Sequence, residues 1–514
     1  MFESLFIVAL VFAVYFKTFK FGIVVDDMRR YEEIKRGHFE KLNWQRFIER
    51  RFYGFGTLIR KNKDGKWFSE GKEARSKEDA RRYYEDRVLT TSIYAIICVL
   101  VYWAFGHNQI SLCAALLCAV NPANNQVSLW ANGRRYAINI ILVLLMVLIG
   151  PAAIFLYPLT VIFQVTAILS PVIFGPWFAL SIPVVAFLAW PMMKKRMGKR
   201  LQTLDNPDMR EFTPKKLIPI VKVFGLYMKK MIFPGRTLMI YPELFYWGMT
   251  EKGNKDAYSF NALFYFGLAC LISSAAVGII FLKGSMLWMW LFMLGAVIQW
   301  CGFVTVTQVY ADRYIALPSV FMSYFIAYFA FTYAGPYALA LLALLAGNYF
   351  TNLQISMLMY RDIIAFWEYH FYFDRGGPKC REFKANNMIQ LGDPLAAWET
   401  IKEGLKVNPD DFKLNLMASN CMNIMQDRSG CLMYLKKARE NCYIGQWDKT
   451  VKPFQKAIFG IDIDEEMQMI RTKKSKMPAE QRENLKKIYD CLEGKVSEPV
   501  SPLVPLVKRE KIAK

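Results

Sequence analysis

Apolar residues in this chain come in long blocks separated by charged stretches. The first block is 2–25, and it ends in Val24-Val25-Asp26-Asp27-Met28-Arg29-Arg30. Others follow at 88–105, 110–120, 136–149, 152–169, 172–193, 258–282, 286–305, 314–331 and 337–353. A helix needs roughly 20 apolar residues to cross a bilayer, so several blocks predict spans. Prolines 151, 158, 171, 176, 183 and 191 break the middle blocks. Such breaks are tolerated where the backbone faces protein or a wet cavity. Residues 217–233 are apolar but carry Lys222, Lys229 and Lys230. They fit a short crossing helix with snorkelling lysines, or an interfacial one. With that segment crossing and the first span running outward, the expected fold is all-α with about eleven spans.

The polar stretches set the organisation. Residues 26–87 form a basic loop in which Phe39, Leu42, Phe47, Ile48, Phe52 and Phe55 recur at mostly helical spacing. That pattern predicts an amphipathic helix on the membrane surface, followed by a charged helix through Arg81, Arg82, Glu85 and Arg87. Lys194-Lys195-Arg196 and Lys199-Arg200 mark a cytoplasmic loop by the positive-inside rule. Asp26-Asp27, residues 121–135, 234–256, Ala311-Asp312-Arg313 and the C-terminal part then share the outer face. The first block lacks a basic leader and a small-residue cleavage pattern, so it reads as a retained helix.

Beyond Tyr360 the character changes. Gly392, Ala397, Leu405, Asn408 and Pro409 suggest a helix-turn-helix closed by Asn-Pro. Cys431, Ala438 and Cys442 repeat it more weakly about 34 residues on, which resembles tetratricopeptide repeats. The expected division is therefore a membrane domain at 1–355, repeat-like helices at 356–471 and a charged tail at 472–514.

Composition adds two limits. The 514 residues are 54% hydrophobic and carry a net charge of +22. In a membrane protein this charge points to acidic lipids and lipid phosphates, with no nucleic-acid partner implied. The 10 cysteines show no CxxC or Cys/His ligand spacing, which argues against structural zinc. A disulfide among the tail cysteines requires an oxidising compartment.

Asp26-Asp27 after the first span, Asn121-Pro122 to Gly133-Arg134 after the third, and Ala311-Asp312-Arg313-Tyr314 before a late span follow one another in a specific order. So do Ile232-Phe233-Pro234 and Tyr360-Arg361-Asp362. Across nearly the whole chain this order resembles the transmembrane and tetratricopeptide-repeat containing O-mannosyltransferases and their bacterial relatives. These are lipid-dependent glycosyltransferases of the GT-C fold. The resemblance implies a polyprenyl-phosphate-linked sugar as donor, a protein or other extracytoplasmic acceptor, and a bacterial inner-membrane location. It places Asp26 or Asp27 at the catalytic centre, as base or acceptor-orienting carboxylate. It makes Arg134 and Arg313 candidates for the leaving lipid phosphate, which a guanidinium fork can hold bidentately. The paired carboxylates also suit one divalent cation, without a second cluster of oxygen ligands.

The chain departs from the family at three positions. Asn121, Asn124 and Gln126 stand where the family usually has two histidines and a glutamate. Amides keep hydrogen-bonding capacity but lose charge and proton transfer. Gln164-Val165 matches a family Lys-Glu pair less closely. The departures motivate an alternative: a catalytically degenerate scaffold that binds partner proteins in a membrane assembly. A transporter is the weakest of the three, because no inverted repeat is visible. Bland roles stand beside these. Asp26-Asp27 also fits a solvated helix end, and Arg134 and Arg313 fit headgroup anchors. Lys229 and Lys230 fit headgroup contacts, Asp312 a structural salt bridge, His370 an interfacial histidine, and Trp288, Trp290 and Trp300 interface and packing aromatics.

Overall fold

The computed structural model describes residues 2–21, 77–130, 133–163, 165–183, 214–235, 237, 258–303, 311–361, 365–366, 369–370, 378–390, 392–407, 409–442, 451–460, 463–472 and 477–493. All regular structure among them is helical. The chain divides into two compact units, Met1–Leu201 with Met209–His370, and Gln202–Asp208 with Phe371–Lys514.

In the first unit, α1 (Phe2–Tyr15) runs into a 3-10 turn (Phe16–Lys20). Helix α2 (Lys77–Ala104) has 28 residues. It joins the charged segment at 81–87 to the second apolar block, which the sequence pattern treats as separate elements. No proline or glycine falls within it to stop the helix. Helix α3 (Gln109–Val120) starts with a capping box, Asn108 Oδ1 accepting from Ser111 N while Ser111 Oγ accepts from Asn108 N. Then come the short α4 (Asn125–Leu129) and α5 (Arg134–Ile149).

Prolines fragment the next stretch. Pro151–Leu156 and Val165–Phe174 are 3-10 segments around a seven-residue α6 (Tyr157–Phe163). The longer helices that follow among the described residues of this unit are α7 (Leu217–Ile232), α8 (Ala262–Phe281), α9 (Ser285–Ile298), α10 (Asp312–Tyr333) and α11 (Ala338–Met357).

Five helical stretches among the described residues are long and apolar enough to cross a membrane: Phe2–Lys20, Tyr84–Ala104, Ala262–Phe281, Asp312–Tyr333 and Gly335–Tyr360. A sixth arises if Pro122–Leu129 and Arg134–Ile149, bent by 110°, count as one span. The protein is thus a multi-pass membrane protein, with five or six such spans described against the expected eleven. Burial ranks the helices. In Asp312–Tyr333, 67% of the most apolar window is buried, against 17% in Ala262–Phe281. Helix α10 is therefore central, and α8 presents its side chains outward.

Helix α8 packs on α7 through glycine. A Cβ on Gly267 would lie 2.1 Å from the Val221 carbonyl oxygen, and one on Gly225 would lie 2.6 Å from Gly267 Cα. Only bare backbones allow this approach. Trp290 Nε1 donates to Ser274 O at 2.9 Å, and its ring meets Phe325 edge-on at 4.8 Å. Trp290 and Trp300 are buried, so both serve in packing.

The second unit starts with α12 (Pro378–Gln390), α13 (Pro394–Val407), α14 (Phe412–Ile424) and α15 (Arg428–Glu440). The α12–α13 and α14–α15 turns are built alike. Gly392 and Gln426 are left-handed, at φ 85° and 64°. Asp393 N donates to Met388 O, and Asp427 N donates to Met422 O, each at 2.9 Å. Both aspartates then cap the next helix, through Ala396 N and Gly430 N. Small residues line the second helix of each pair, Ala397 in one and Cys431 with Ala438 in the other, all buried.

Three more helices follow among the described residues, α16 (Lys452–Phe459), α17 (Ile463–Arg471) and α18 (Ala479–Leu492). Arg439 Nη2 ties α17 and the end of α18 to α15, reaching Asp464 Oδ1 and Glu493 Oε1 at 3.1 Å each. The described cysteines are free thiols. Burial pushes the Cys421 thiol up to about 12, which suppresses its reactivity.

Gly267→Ala should lower stability by about 1–3 kcal/mol, because backbone blocks the added methyl. Gly347→Ala on α11, where nothing lies within 4 Å, should be neutral or slightly stabilising. Thermal unfolding in detergent reads both. His370 is fully buried beyond the last span, its Nδ1 2.7 Å from Phe366 O. Burial lowers its pKa from 6.5 to about 4. The unfolded state therefore binds the proton first as pH falls. Stability is complete above pH 6.5 and declines toward pH 4 by on the order of 3 kcal/mol. His370→Phe should remove that part of the pH dependence.

Candidate functional site

The site is built on the break between α3 and α5. Asn121 closes α3 and opens a 3-10 turn (Pro122–Asn124), its Oδ1 accepting from Ala123 N at 2.9 Å. Pro122 suits a first helical position, where its missing N–H costs nothing. Residues 121–130 are all buried. Gly133 lets the chain turn back on itself: a Cβ there would sit 2.0 Å from the Gln126 carbonyl oxygen. The sequence thus places a polar, irregular segment inside an apolar domain. Its groups need partners from neighbouring helices.

Helix α2 supplies one set. Arg134 Nη2 donates to Asp86 Oδ1 at 2.7 Å and to Asp86 O at 2.9 Å, while Nε donates to Thr90 Oγ1 at 3.0 Å. Asp86 and Thr90 lie one helical turn apart, on the same face. Arg87, beside them, donates to the Leu129 carbonyl.

Helix α10 supplies the other set. Ser319 Oγ donates to Asn124 Oδ1 at 2.6 Å. Arg313 Nη1 donates to Gln126 Oε1 at 3.4 Å, and Nη2 donates to the Tyr314 hydroxyl at 3.2 Å. The same guanidinium lies 4.7 Å from the Tyr314 ring centre and 5.8 Å from that of Trp130. Trp300 stacks on Tyr314 at 4.0 Å. On a third side, Asn125 Nδ2 donates to Thr237 Oγ1, and Thr237 N donates to Ser356 Oγ at 3.0 Å.

The start of α10 is anchored separately. Lys230 Nζ on α7 lies 2.7 Å from Asp312 Oδ1, with side chains 7% and 0% exposed. The Tyr227 hydroxyl accepts from Ala311 N at 3.1 Å. The sequence pattern puts Lys230 at the headgroups; it is buried instead, and only Lys229 is exposed. Amphipathic spacing turns Lys230 inward, and a carboxylate remote in sequence receives it. The salt-bridge role expected of Asp312 is the one observed.

Five of the seven positions chosen from sequence meet here: Asn121, Asn124, Gln126, Arg134 and Arg313. They are not equivalent. The Arg134 side chain is 1% exposed and closed on Asp86, so it acts as a brace rather than a headgroup anchor. Arg313 sits among an amide and aromatic rings. Asp26 and Asp27, like Gln164, lie outside the described residues. Sequence reasoning misses Asp86, Thr90, Ser319 and Trp130 as members of the site. The signal available is the Asp86–Thr90 spacing, which by itself marks no more than one face of a charged helix. Among the described residues, no group of three or more His, Cys, Asp or Glu side chains gathers as a metal site. Comparison with family models, with curated proteins and with solved structures finds no match.

The buried Lys230–Asp312 pair makes a sharp prediction. Lys230→Met removes one partner from a buried ion pair and should cost about 3–5 kcal/mol. Adding Asp312→Asn should recover most of the loss. A double-mutant cycle of thermal unfolding in detergent measures the coupling.

Proposed function

We propose that this chain is a GT-C-type membrane glycosyltransferase of the O-mannosyltransferase kind. It moves a sugar from a polyprenyl-phosphate donor to a protein or other acceptor at the outer face of a bacterial inner membrane. One observation carries the proposal. Positions selected for their order along the sequence converge on a single buried polar segment flanked by Arg313. Asp26 or Asp27 orients or deprotonates the acceptor. Arg313 provides the positive field for the departing lipid phosphate, and Arg134 holds the segment in place. A divalent cation, where the reaction uses one, belongs at Asp26-Asp27. The two like-built helix pairs of the second unit support a tetratricopeptide-like role in binding acceptor or partner proteins on the extracytoplasmic side.

A second reading has its own support. Arg134 and Asp312 are each closed by an ion pair within the protein, and Asn121, Asn124 and Gln126 carry no charge. This favours a degenerate GT-C-like scaffold that binds partners in a membrane assembly.

The test reconstitutes the full chain in vesicles with polyprenyl-phosphate mannose labelled in the sugar, plus a membrane-protein extract as acceptor. The transferase reading expects label in protein. It also expects Asp26→Asn with Asp27→Asn to reduce transfer by about 100-fold or more at unchanged Tm. Absence of transfer, together with stable co-purification of a complex that survives both substitutions, selects the scaffold.

A further inference from the structure

We propose that Trp130 and Asn121 are ligand-binding positions, donating hydrogen bonds to a phosphate-class oxyanion held beside Arg313. This assignment deepens the transferase reading and rests on the location of the site given there.

The buried segment leaves some of its own polar groups unsatisfied. Most have partners on α2 or α10. Among the described residues, Asn121 Nδ2, Asn125 Oδ1 and Trp130 Nε1 have none. These side chains are 0%, 0% and 4% exposed. A buried polar atom without a partner costs about 1–3 kcal/mol, and bilayer-embedded protein has little water to offset it. Three such atoms on one short segment point to a missing partner rather than to a packing defect.

The chemistry of that partner is set by the atoms. An indole N–H can only donate. The Asn121 amide cannot turn over without losing the bond from Ala123 N to its oxygen, so its Nδ2 stays a donor. Asn125 is different. Turning its amide lets the Thr237 hydroxyl donate to the oxygen and presents Nδ2 as a third donor. A group that accepts from several N–H donors next to a guanidinium is an oxyanion. Phosphate, with its many acceptor lone pairs, fits best. Trp130 belongs to the same place because its ring lies against Arg313, and Gln126, between Asn121 and Trp130 in sequence, bonds to that arginine.

Two isosteric substitutions test this in the purified full-length chain. Trp130→Phe keeps a ring against Arg313 and removes the N–H. Asn121→Asp keeps the oxygen that caps the 3-10 turn and replaces the donor with a carboxylate. Binding of a polyprenyl phosphate is compared with that of the polyprenol of equal length, by native mass spectrometry in detergent. Wild type should prefer the phosphate lipid, and each variant should lose roughly tenfold of its affinity for it. Polyprenol binding and Tm should hold. Trp130→His, which restores a ring N–H, should recover part of the loss.

Competition by inorganic phosphate supports the proposal with phosphate itself as the ligand. Competition by phosphate lipids alone supports it with the headgroup as ligand. The proposal is overturned if wild type treats the two lipids alike, or if a folded Trp130→Phe or Asn121→Asp chain keeps the wild-type preference. Should Trp130→Phe unfold, Asn121→Asp decides alone. Sugar transfer is not read in this assay, so failure of transfer bears only on the transferase reading.

Discussion

The Arg134 guanidinium, closed on the carboxylate and carbonyl of Asp86 and on the Thr90 hydroxyl, is the contact on which this membrane unit depends. A helix interrupted inside an apolar domain leaves N–H and C=O groups that lipid cannot satisfy. The chain resolves this by folding the interruption back on itself and bracing it from two sides. Arg134 and Arg87 fasten it to α2, and Ser319 and Arg313 fasten it to α10. Gly133 makes the fold-back geometrically available, because no side chain fits beside the Gln126 carbonyl.

Burial then separates two arginines that look alike in sequence. Arg134 faces the Asp86 carboxylate, so breaking this pair would remove a charged partner from a buried guanidinium. Arg313 is surrounded by an amide, a phenol and two aromatic faces, which suits a planar, weakly hydrated cation. In the proposed transferase, structure and ligand recognition would be divided between them, with the brace on the α2 side and the recognition field on the α10 side. The buried Lys230–Asp312 pair fixes the end of α10 from which Arg313 projects.

Much of the helical framework was legible because bilayer-length apolar blocks have few alternatives. The blocks that became α1, α8, α10 and α11 show this. The turn chemistry of the second unit was legible from Gly392 and the small residues Ala397 and Ala438. The matching left-handed turn at Gln426 was not, since glutamine gives no local sign of positive φ. The continuity of α2 was hidden because hydropathy changes abruptly at Arg87 while helix propensity does not. Proline positions predicted breaks in 151–176 but not the 3-10 geometry that replaced spans there. The site was half legible. Order along the chain identified Asn121, Asn124, Gln126, Arg134 and Arg313, yet their partners Asp86, Thr90 and Ser319 depend on tertiary proximity alone. For Asp26-Asp27, outside the described residues, sequence order is the whole argument.

The glycine contact between α7 and α8 has a mechanical consequence. Two helices touching backbone to backbone cannot slide or roll independently without collision, so they behave as one stiff beam. One side of that beam, α8, is exposed along most of its length. The other, α7, carries Lys230 to the head of α10. The glycine contact that sets the spacing of α7 and α8 therefore also sets where Lys230 stands when it meets Asp312 at the head of α10.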